Sequence, residues 1–206
     1  IKIMFFIFQI IGYKFSSNLG FLIGRFIGPI FKSKKSIIEN LQTAKIRHKL
    51  NYNKIATNVL GNYGRIFAEY IHLKHFRNDK LKKFISIDGY HHLENIKKSK
   101  KNVVFISGHF NNFELMAMQI EKSGIDVAAI YRPLNNPYLN KTMENIRSSY
   151  ICKKQIPKGI AGVKTMVNLF KKNTSLALMI DQRVSQGSQI KFFNQSALTT
   201  TIPAQF

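Results

Sequence analysis

The sequence predicts an α/β domain, in which a mainly parallel or mixed sheet is flanked by helices, preceded by an N-terminal membrane-anchoring helix. Three observations lead to this prediction. Short apolar runs of strand length alternate with longer helical patterns after residue 81. The first 31 residues contain two long apolar stretches, and the 206 residues are 45 % hydrophobic. Such alternation is typical of parallel sheets with helices on their faces. We therefore expect an anchor over residues 1–31 and one folded domain over residues 32–206.

The N-terminal segment is apolar in two stretches, residues 3–13 and 19–31, which are interrupted by Lys14 and Arg25. A spanning helix needs about 20 uninterrupted apolar residues, so the pattern favours a tilted or partial span or an interfacial anchor. A lysine cluster follows directly, at Lys32, Lys34 and Lys35. Positive charge next to an anchor usually faces the cytoplasm. A buried helix of a soluble protein is the alternative.

Residues 37–73 repeat apolar side chains at helical spacing and predict two helices. Residues 84–87 then predict a short strand, which Asp88-Gly89 would close, and residues 92–98 predict a helix.

The next apolar runs predict three strands, at residues 103–107, 127–131 and 176–180. Helices are predicted between them at residues 113–122, 136–149 and 162–172. The first of these helices has Gly124 as its stop, and the second starts at the pair Asn136-Pro137.

Each of these strands ends at a polar residue. His109 follows the first strand, Arg132 the second, and Asp181 with Gln182 the third. Sites in open α/β sheets form beyond the carboxyl ends of the strands, so the four residues are expected at one edge.

His109 and Glu114 are the candidate catalytic pair. The imidazole would lie in the turn before a helix and the carboxylate in its first turn, where it could fix the tautomer and stabilise imidazolium. Such a base can take a proton from a hydroxyl that attacks an acyl carbonyl, and with no evident serine or cysteine nucleophile we favour direct transfer. The alternatives are that Glu114 only favours its helix start, that Arg132 caps a strand and that Asp181 holds a turn.

The formal charge of +22 points to an anionic partner. Only 7 of the 32 basic residues are arginine, which weakens a nucleic-acid interpretation. Cys152 is the single cysteine, so an intrachain disulfide is impossible. Two histidine pairs, His72 with His75 and His91 with His92, have no accompanying ligands, so no metal site is predicted.

Four blocks in this order are similar to the bacterial lipid A biosynthesis acyltransferase family, the late lauroyl- and myristoyl-transferring enzymes. They are residues 107–114 (SGHFNNFE), 131–139 (YRPLNNPYL), 180–182 (IDQ) and 192–200 (FFN…ALTT). The apolar start and Glu39-Asn40-Leu41 add to the resemblance, which covers nearly the whole chain.

The resemblance implies the α/β fold of glycerolipid acyltransferases, with His109 and Glu114 catalytic and Arg132, Asp181 and Gln182 binding substrate. It implies an acyl carrier protein thioester as donor, a hydroxyl of a lipid A precursor as acceptor, and no cofactor. The enzyme would lie at the cytoplasmic face of the inner membrane, where a basic surface suits an acidic carrier protein and a phosphorylated glycolipid.

The chain departs from the family pattern at Asn111 and Asn194, where many relatives carry glycine; asparagine tolerates the positive φ such turns need. Relatives continue beyond the last block, and this chain starts at Ile1, so we expect a fragment whose domain over residues 32–206 lacks its C-terminal part. Two other functions stay open. One is an acyl-CoA-dependent transfer to another glycolipid such as a mannoside, and the other is a non-enzymatic basic module that binds membranes or nucleic acid.

Overall fold

The computed structural model describes residues 2–45, 50–182 and 184–206, and it consists of two compact units. One unit comprises residues 1–72 and 188–198, and the other comprises residues 73–187 and 199–206.

The helices are α1 (Lys2–Ile11), α2 (Tyr13–Phe31), α3 (Lys35–Thr43), α4 (Tyr52–Glu69), α5 (Leu73–Arg77), α6 (Tyr90–Ser99), α7 (Glu114–Lys122), α8 (Pro137–Ile146) and α9 (Ile160–Lys171). The strands are β1 (Val104–Ser107), β2 (Val127–Tyr131), β3 (Lys154–Pro157), β4 (Ser175–Met179), β5 (Ser188–Phe192) and β6 (Gln195–Thr199). Single 3₁₀ turns cover Tyr70–His72, Lys82–Phe84 and Ile202–Gln205, and a π-helical turn at Arg147–Ile151 continues α8.

The apolar N-terminal segment forms two helices, because the chain breaks at Gly12, whose φ of 77° lies in the left-handed region. Within the described ranges, no helix combines the length and the apolarity that crossing a membrane requires. The N-terminal segment is therefore helical, as α1 and α2, but its predicted role as a membrane anchor is not supported by these helices.

Helices α2 and α4 run antiparallel and touch along a row of glycines. A Cβ atom added to Gly20 would lie 2.5 Å from the backbone oxygen of Gly64, and one added to Gly64 would meet the backbone of Gly20 and Gly24. Only glycine allows two helix backbones to come this close.

Beside this row, polar side chains of α2 pair with side chains of α4 and of the 3₁₀ turn that follows it. The Ser17 hydroxyl donates to Glu69 at 2.7 Å and accepts from Arg65 at 2.8 Å, while Ser16 lies 2.7 Å from Nε2 of His72. Buried polar atoms need such partners, so this contact is specific for one register of α2 on α4.

The second unit is built on a four-stranded sheet in the order β1-β4-β2-β3, with every pairing parallel. The predicted parallel sheet is confirmed, and the three predicted strands match β1, β2 and β4 within a residue at each end. Because β1 and β4 are neighbours, Ser107 is paired with Met179. The loops that follow these two strands are consequently adjacent.

Alternate strand residues supply the two faces of the sheet. Val127 and Ala177 pack on one face with residues that include Ile120 of α7 and Ile96 of α6. The intervening strand positions, Ala128, Leu176 and Leu178, pack on the other face. Their partners there include Val163 and Met166 of α9 and the last residue, Phe206. Helices thus cover both faces, as predicted.

One predicted strand is wrong, and two elements were not predicted. Residues 84–87 form no strand: Phe84 ends a 3₁₀ turn, and the residues are mostly exposed, with no described strand beside them to accept their backbone hydrogen bonds. Strand β3 was missed because its sequence, KQIP, buries only Ile156. The β5–β6 hairpin was also missed, since its turn uses Phe193 and Asn194 at positive φ instead of glycine. Ile46, which belongs to the periodicity used for the first helices, lies outside the described residues.

Candidate active site

The site begins in the loop between β1 and α7, which carries His109. The residue before it, Gly108, allows the neighbouring loop to approach: a Cβ there would lie 3.1 Å from Oδ2 of Asp181. That contact is tighter than side chains normally make, so glycine favours the close pairing described next. At Asn111 the same loop has a φ of 42°, which asparagine tolerates as expected.

Asp181 holds His109 at two points. Its Oδ2 accepts the backbone N–H of His109 at 2.7 Å, and its Oδ1 lies 2.7 Å from Nδ1 of the imidazole. The two residues are 72 positions apart in the sequence and meet because β1 and β4 are neighbours. The carboxylate therefore fixes both the loop backbone and the ring plane of His109.

The two neighbours of the imidazole favour one tautomer. An ionised carboxylate can only accept hydrogen bonds, so Nδ1 carries the proton and Nε2 of the neutral ring keeps its lone pair. Gln182 agrees with this assignment, because its side-chain nitrogen lies 3.2 Å from Nε2 and can donate to it. Nε2 is the ring atom available as a base.

Partial burial of Asp181 disfavours its ionised form, but hydrogen bonds from the backbone and side chain of His109 outweigh that effect, and the pKa of Asp181 falls below its ordinary value. Asp181 is thus ionised at neutral pH. The imidazole ring also packs edge-on against Phe113, with ring centroids 4.6 Å apart. His109 remains accessible, since 28 % of its side chain is exposed.

Glu114 lies at the first position of α7 and is buried, with a side chain only 8 % exposed. Its Oε1 accepts from Nε of Arg147 at 2.9 Å and from Nη2 at 2.7 Å. The sequence predicted a carboxylate that fixes the His109 tautomer. The structure has Asp181 at Nδ1, and the catalytic role of Glu114 stays a prediction.

Arg147 was missed by the sequence reasoning. It occupies the residue after the last helical position of α8, and its guanidinium lies 5.8 Å from the ring centre of Tyr131. A signal was present in the spacing of Asn140, Glu144 and Arg147, which places three polar side chains on one helix face.

Arg132 is exposed directly after β2. Strand β4 separates β2 from β1, so Arg132 follows a strand about 10 Å from the one that precedes His109, at two strand spacings of about 4.8 Å. His109, Arg132, Asp181 and Gln182 all lie at the carboxyl edge of the sheet, as predicted from their positions after parallel strands.

No group of three or more potential metal ligands occurs among the residues that the structure describes. The site consists instead of an oriented imidazole, a carboxylate, an amide and an exposed guanidinium at the edge of a parallel sheet. Such an arrangement is typical of α/β enzymes whose side chains perform acid–base chemistry.

The class of enzyme can be narrowed from α/β enzymes in general to one family. The model of the bacterial lipid A biosynthesis acyltransferase family matches residues 1–206, the whole chain, and the protein belongs to this family. It is accordingly an acyltransferase of lipid A biosynthesis, and its acceptor is a lipid. A search of curated proteins gave no match.

Proposed function

We propose that this enzyme transfers a fatty acyl group from an acyl carrier protein thioester to a hydroxyl of a lipid A precursor, with His109 as the general base. The observation that carries the proposal is the contact of Asp181 with Nδ1 of His109, which leaves Nε2 as a proton acceptor at an accessible sheet edge.

The proposed reaction is direct. Nε2 of His109 takes the proton of the acceptor hydroxyl while its oxygen attacks the thioester carbonyl. Asp181 stabilises the resulting imidazolium, and the proton passes to the thiolate as the carbon–sulfur bond breaks. In the substrate complex the acceptor hydroxyl replaces Gln182 at Nε2, and the Gln182 amide is then free to bind the acceptor. These steps require no cofactor.

We include Glu114 in the proposed catalytic centre, as the sequence predicted. Its ion pair with Arg147 fixes the start of α7, the helix that follows the His109 loop and whose preceding residue, Phe113, packs on the imidazole. Glu114 therefore supports His109 through the loop, and its substitution is expected to affect turnover even though Asp181 occupies Nδ1.

The surroundings of His109 suit the proposed substrates. The Phe110 side chain, next to the base, is 78 % exposed and offers apolar surface to an acyl chain. Arg132 presents an exposed guanidinium that can bind a phosphate of the glycolipid. The net charge of +22 favours approach of an acidic carrier protein and of a phosphorylated acceptor.

We also propose that α1 and α2 bind the cytoplasmic surface of the inner membrane. Their large apolar side chains are exposed to an unusual degree; they include Ile3, Phe6, Ile10, Phe15, Phe26, Ile30 and Phe31. Helices with such surfaces and flanking lysines bind in the interfacial region of anionic bilayers. The whole chain should sediment with phosphatidylglycerol vesicles in high salt, and Phe26→Ser with Phe31→Ser should weaken this. Equal sedimentation of both proteins would contradict the assignment.

His109→Ala tests the reaction. The loss of a general base should lower the transfer rate by roughly 10²- to 10⁴-fold, while His91→Ala, at an exposed position on α6, should leave it unchanged. The assay follows acyl transfer by mass spectrometry, with carrier-protein and CoA thioesters offered to a lipid A precursor or a mannoside acceptor. Full activity of His109→Ala would refute the mechanism. Transfer only from CoA to the mannoside would replace the proposed substrates with the alternative ones.

A further inference from the structure

Helix α8 carries three polar side chains whose contacts join two parts of the site. Asn140, Glu144 and Arg147 recur at intervals of four and three residues and so lie on one face of the helix and its π-helical continuation. The start of α8 is already capped by Asn136, whose side chain accepts the N–H of Leu139 at 3.1 Å. The three side chains are therefore not needed to complete the helix.

Two of them hold the segment Tyr131–Leu134, which contains Arg132, at both ends. The Asn140 side-chain oxygen accepts the N–H of Leu134 at 2.8 Å, and the Tyr131 hydroxyl donates a hydrogen bond to Glu144. Asn140 also donates to the same Glu144 oxygen at 2.8 Å, so the two contacts reinforce each other.

Between these two ends the backbone has little freedom. Pro133 restricts the residue before it to extended conformations, and that residue is Arg132. With Tyr131 and Leu134 both tied to α8, the position of the Arg132 Cα atom is set by contacts that Arg132 does not itself make.

The third side chain connects the face to the His109 loop. Arg147 donates twice to Glu114 at the start of α7, and its guanidinium packs near the Tyr131 ring. One helix face thus contacts both the segment that carries Arg132 and the helix that follows His109.

The hydrogen bonds that Tyr131 and Asn140 donate to the Glu144 carboxylate persist at neutral pH. Burial and the neighbouring Glu144 raise the pKa of Tyr131 to about 12, so its hydroxyl stays a donor. The hydrogen bonds from Tyr131 and Asn140 lower the pKa of Glu144, so its carboxylate stays an acceptor. Hydrogen bonds to an ionised group are about twice as strong as neutral ones.

We propose that the Asn140–Glu144–Arg147 face of α8 is a positioning element, which holds the Tyr131–Leu134 segment and so places Arg132 against an anionic group of the lipid acceptor. This inference rests on the proposed function, in that Arg132 contacts the acceptor. The face itself need not touch substrate.

The test combines Tyr131→Phe and Glu144→Gln with Arg132→Ala in the whole chain. Tyr131→Phe removes only the hydroxyl, and Tyr138→Phe, at a nearby tyrosine that is 89 % exposed, is its matched control. In the wild-type background, either test substitution should raise the KM for the lipid A precursor by about 3- to 10-fold, with kcat changed less than about twofold. In the Arg132→Ala background, each should change KM by less than about twofold, because effects that act through one group are not additive.

The outcomes separate the two proposals. An unchanged KM in Arg132→Ala would refute the proposed role of Arg132 and overturn this inference with it. A raised KM in Arg132→Ala together with an unchanged KM in both test variants would overturn this inference alone. Equal increases of KM in both backgrounds would also overturn it, because they would show a general structural effect. If Glu144→Gln does not fold, Tyr131→Phe decides the question.

Discussion

Replacement of Asp181 by asparagine is the most direct test of the site geometry. The change keeps the shape of the side chain but removes the charge that fixes Nδ1–H of His109 and stabilises its imidazolium form. An asparagine can present either its oxygen or its NH₂ group to Nδ1, so the ring is no longer confined to the tautomer with a free lone pair on Nε2.

The size of the effect follows from the contacts. A hydrogen bond to a charged group contributes about 1.5–3 kcal/mol, and each 1.36 kcal/mol of barrier is about tenfold in rate. Because 39 % of the Asp181 side chain is exposed, solvent weakens the interaction and the lower half of that range applies. We expect the transfer rate to fall by roughly 10- to 50-fold in Asp181→Asn.

The assay has two parts. Turnover is measured with the carrier thioester and lipid A precursor, and the His109 tautomer is read from ¹⁵N chemical shifts in protein labelled at histidine, with His109→Ala used to assign the signal. Wild-type His109 should carry its proton on Nδ1, and Asp181→Asn should shift the signal toward the other tautomer. Asp88→Asn, at an exposed aspartate in the turn before α6, is the matched control.

One result would refute this reasoning. If Asp181→Asn retains wild-type turnover and tautomer while Glu114→Gln loses both, the working carboxylate is that of Glu114, as the His109–Glu114 spacing predicted. If both variants lose turnover but only Asp181→Asn changes the tautomer, Asp181 orients the ring and Glu114 acts through α7.

Two further predictions concern stability. Arg147→Met removes the ion-pair partner of the buried Glu114 carboxylate and should lower the free energy of unfolding by about 3–5 kcal/mol. Adding Glu114→Gln to Arg147→Met should restore part of that stability in thermal denaturation. Equal melting temperatures of the single and double variants would contradict this. Gly64→Ala should destabilise the packing of α2 on α4 by about 1–3 kcal/mol despite alanine's better helix propensity, because its Cβ meets backbone that cannot move aside. The control is Asn53→Ala, at an exposed position of α4. A Gly64→Ala protein that melts at or above the wild-type temperature would refute the close contact.

The parts of the fold that the sequence predicted are those with a strong local pattern. The runs VVFIS, VAAIY and LALMI are predominantly apolar because residues of β1, β2 and β4 pack against helices on both faces of the sheet, although Ile106 of the edge strand β1 is exposed. Strand β3 was not predicted because it lies at the edge of the described sheet, beside β2, and its polar residues are half-exposed. Its sequence therefore shows almost no strand pattern. The break at Gly12, which divides the apolar segment into two helices, depends on one backbone conformation that composition does not reveal.

For the site, too, the sequence predicted what depends on neighbouring residues and did not predict which distant residues touch. His109, Arg132, Asp181 and Gln182 could be named as candidates because each comes just after the end of a strand, and parallel strands bring their carboxyl ends to one edge. Which of them would touch could not be derived, since the order β1-β4-β2-β3 is set by packing between segments about 70 residues apart. A partner five residues away, Glu114, therefore looked closer to His109 than one 72 residues away. Once β4 lies beside β1, the Ser107–Met179 pairing places Asp181 next to His109, and Gly108 allows the contact. Strand order thus selects the carboxylate on Nδ1, and this is why the comparison of Asp181→Asn with Glu114→Gln tests the topology together with the chemistry.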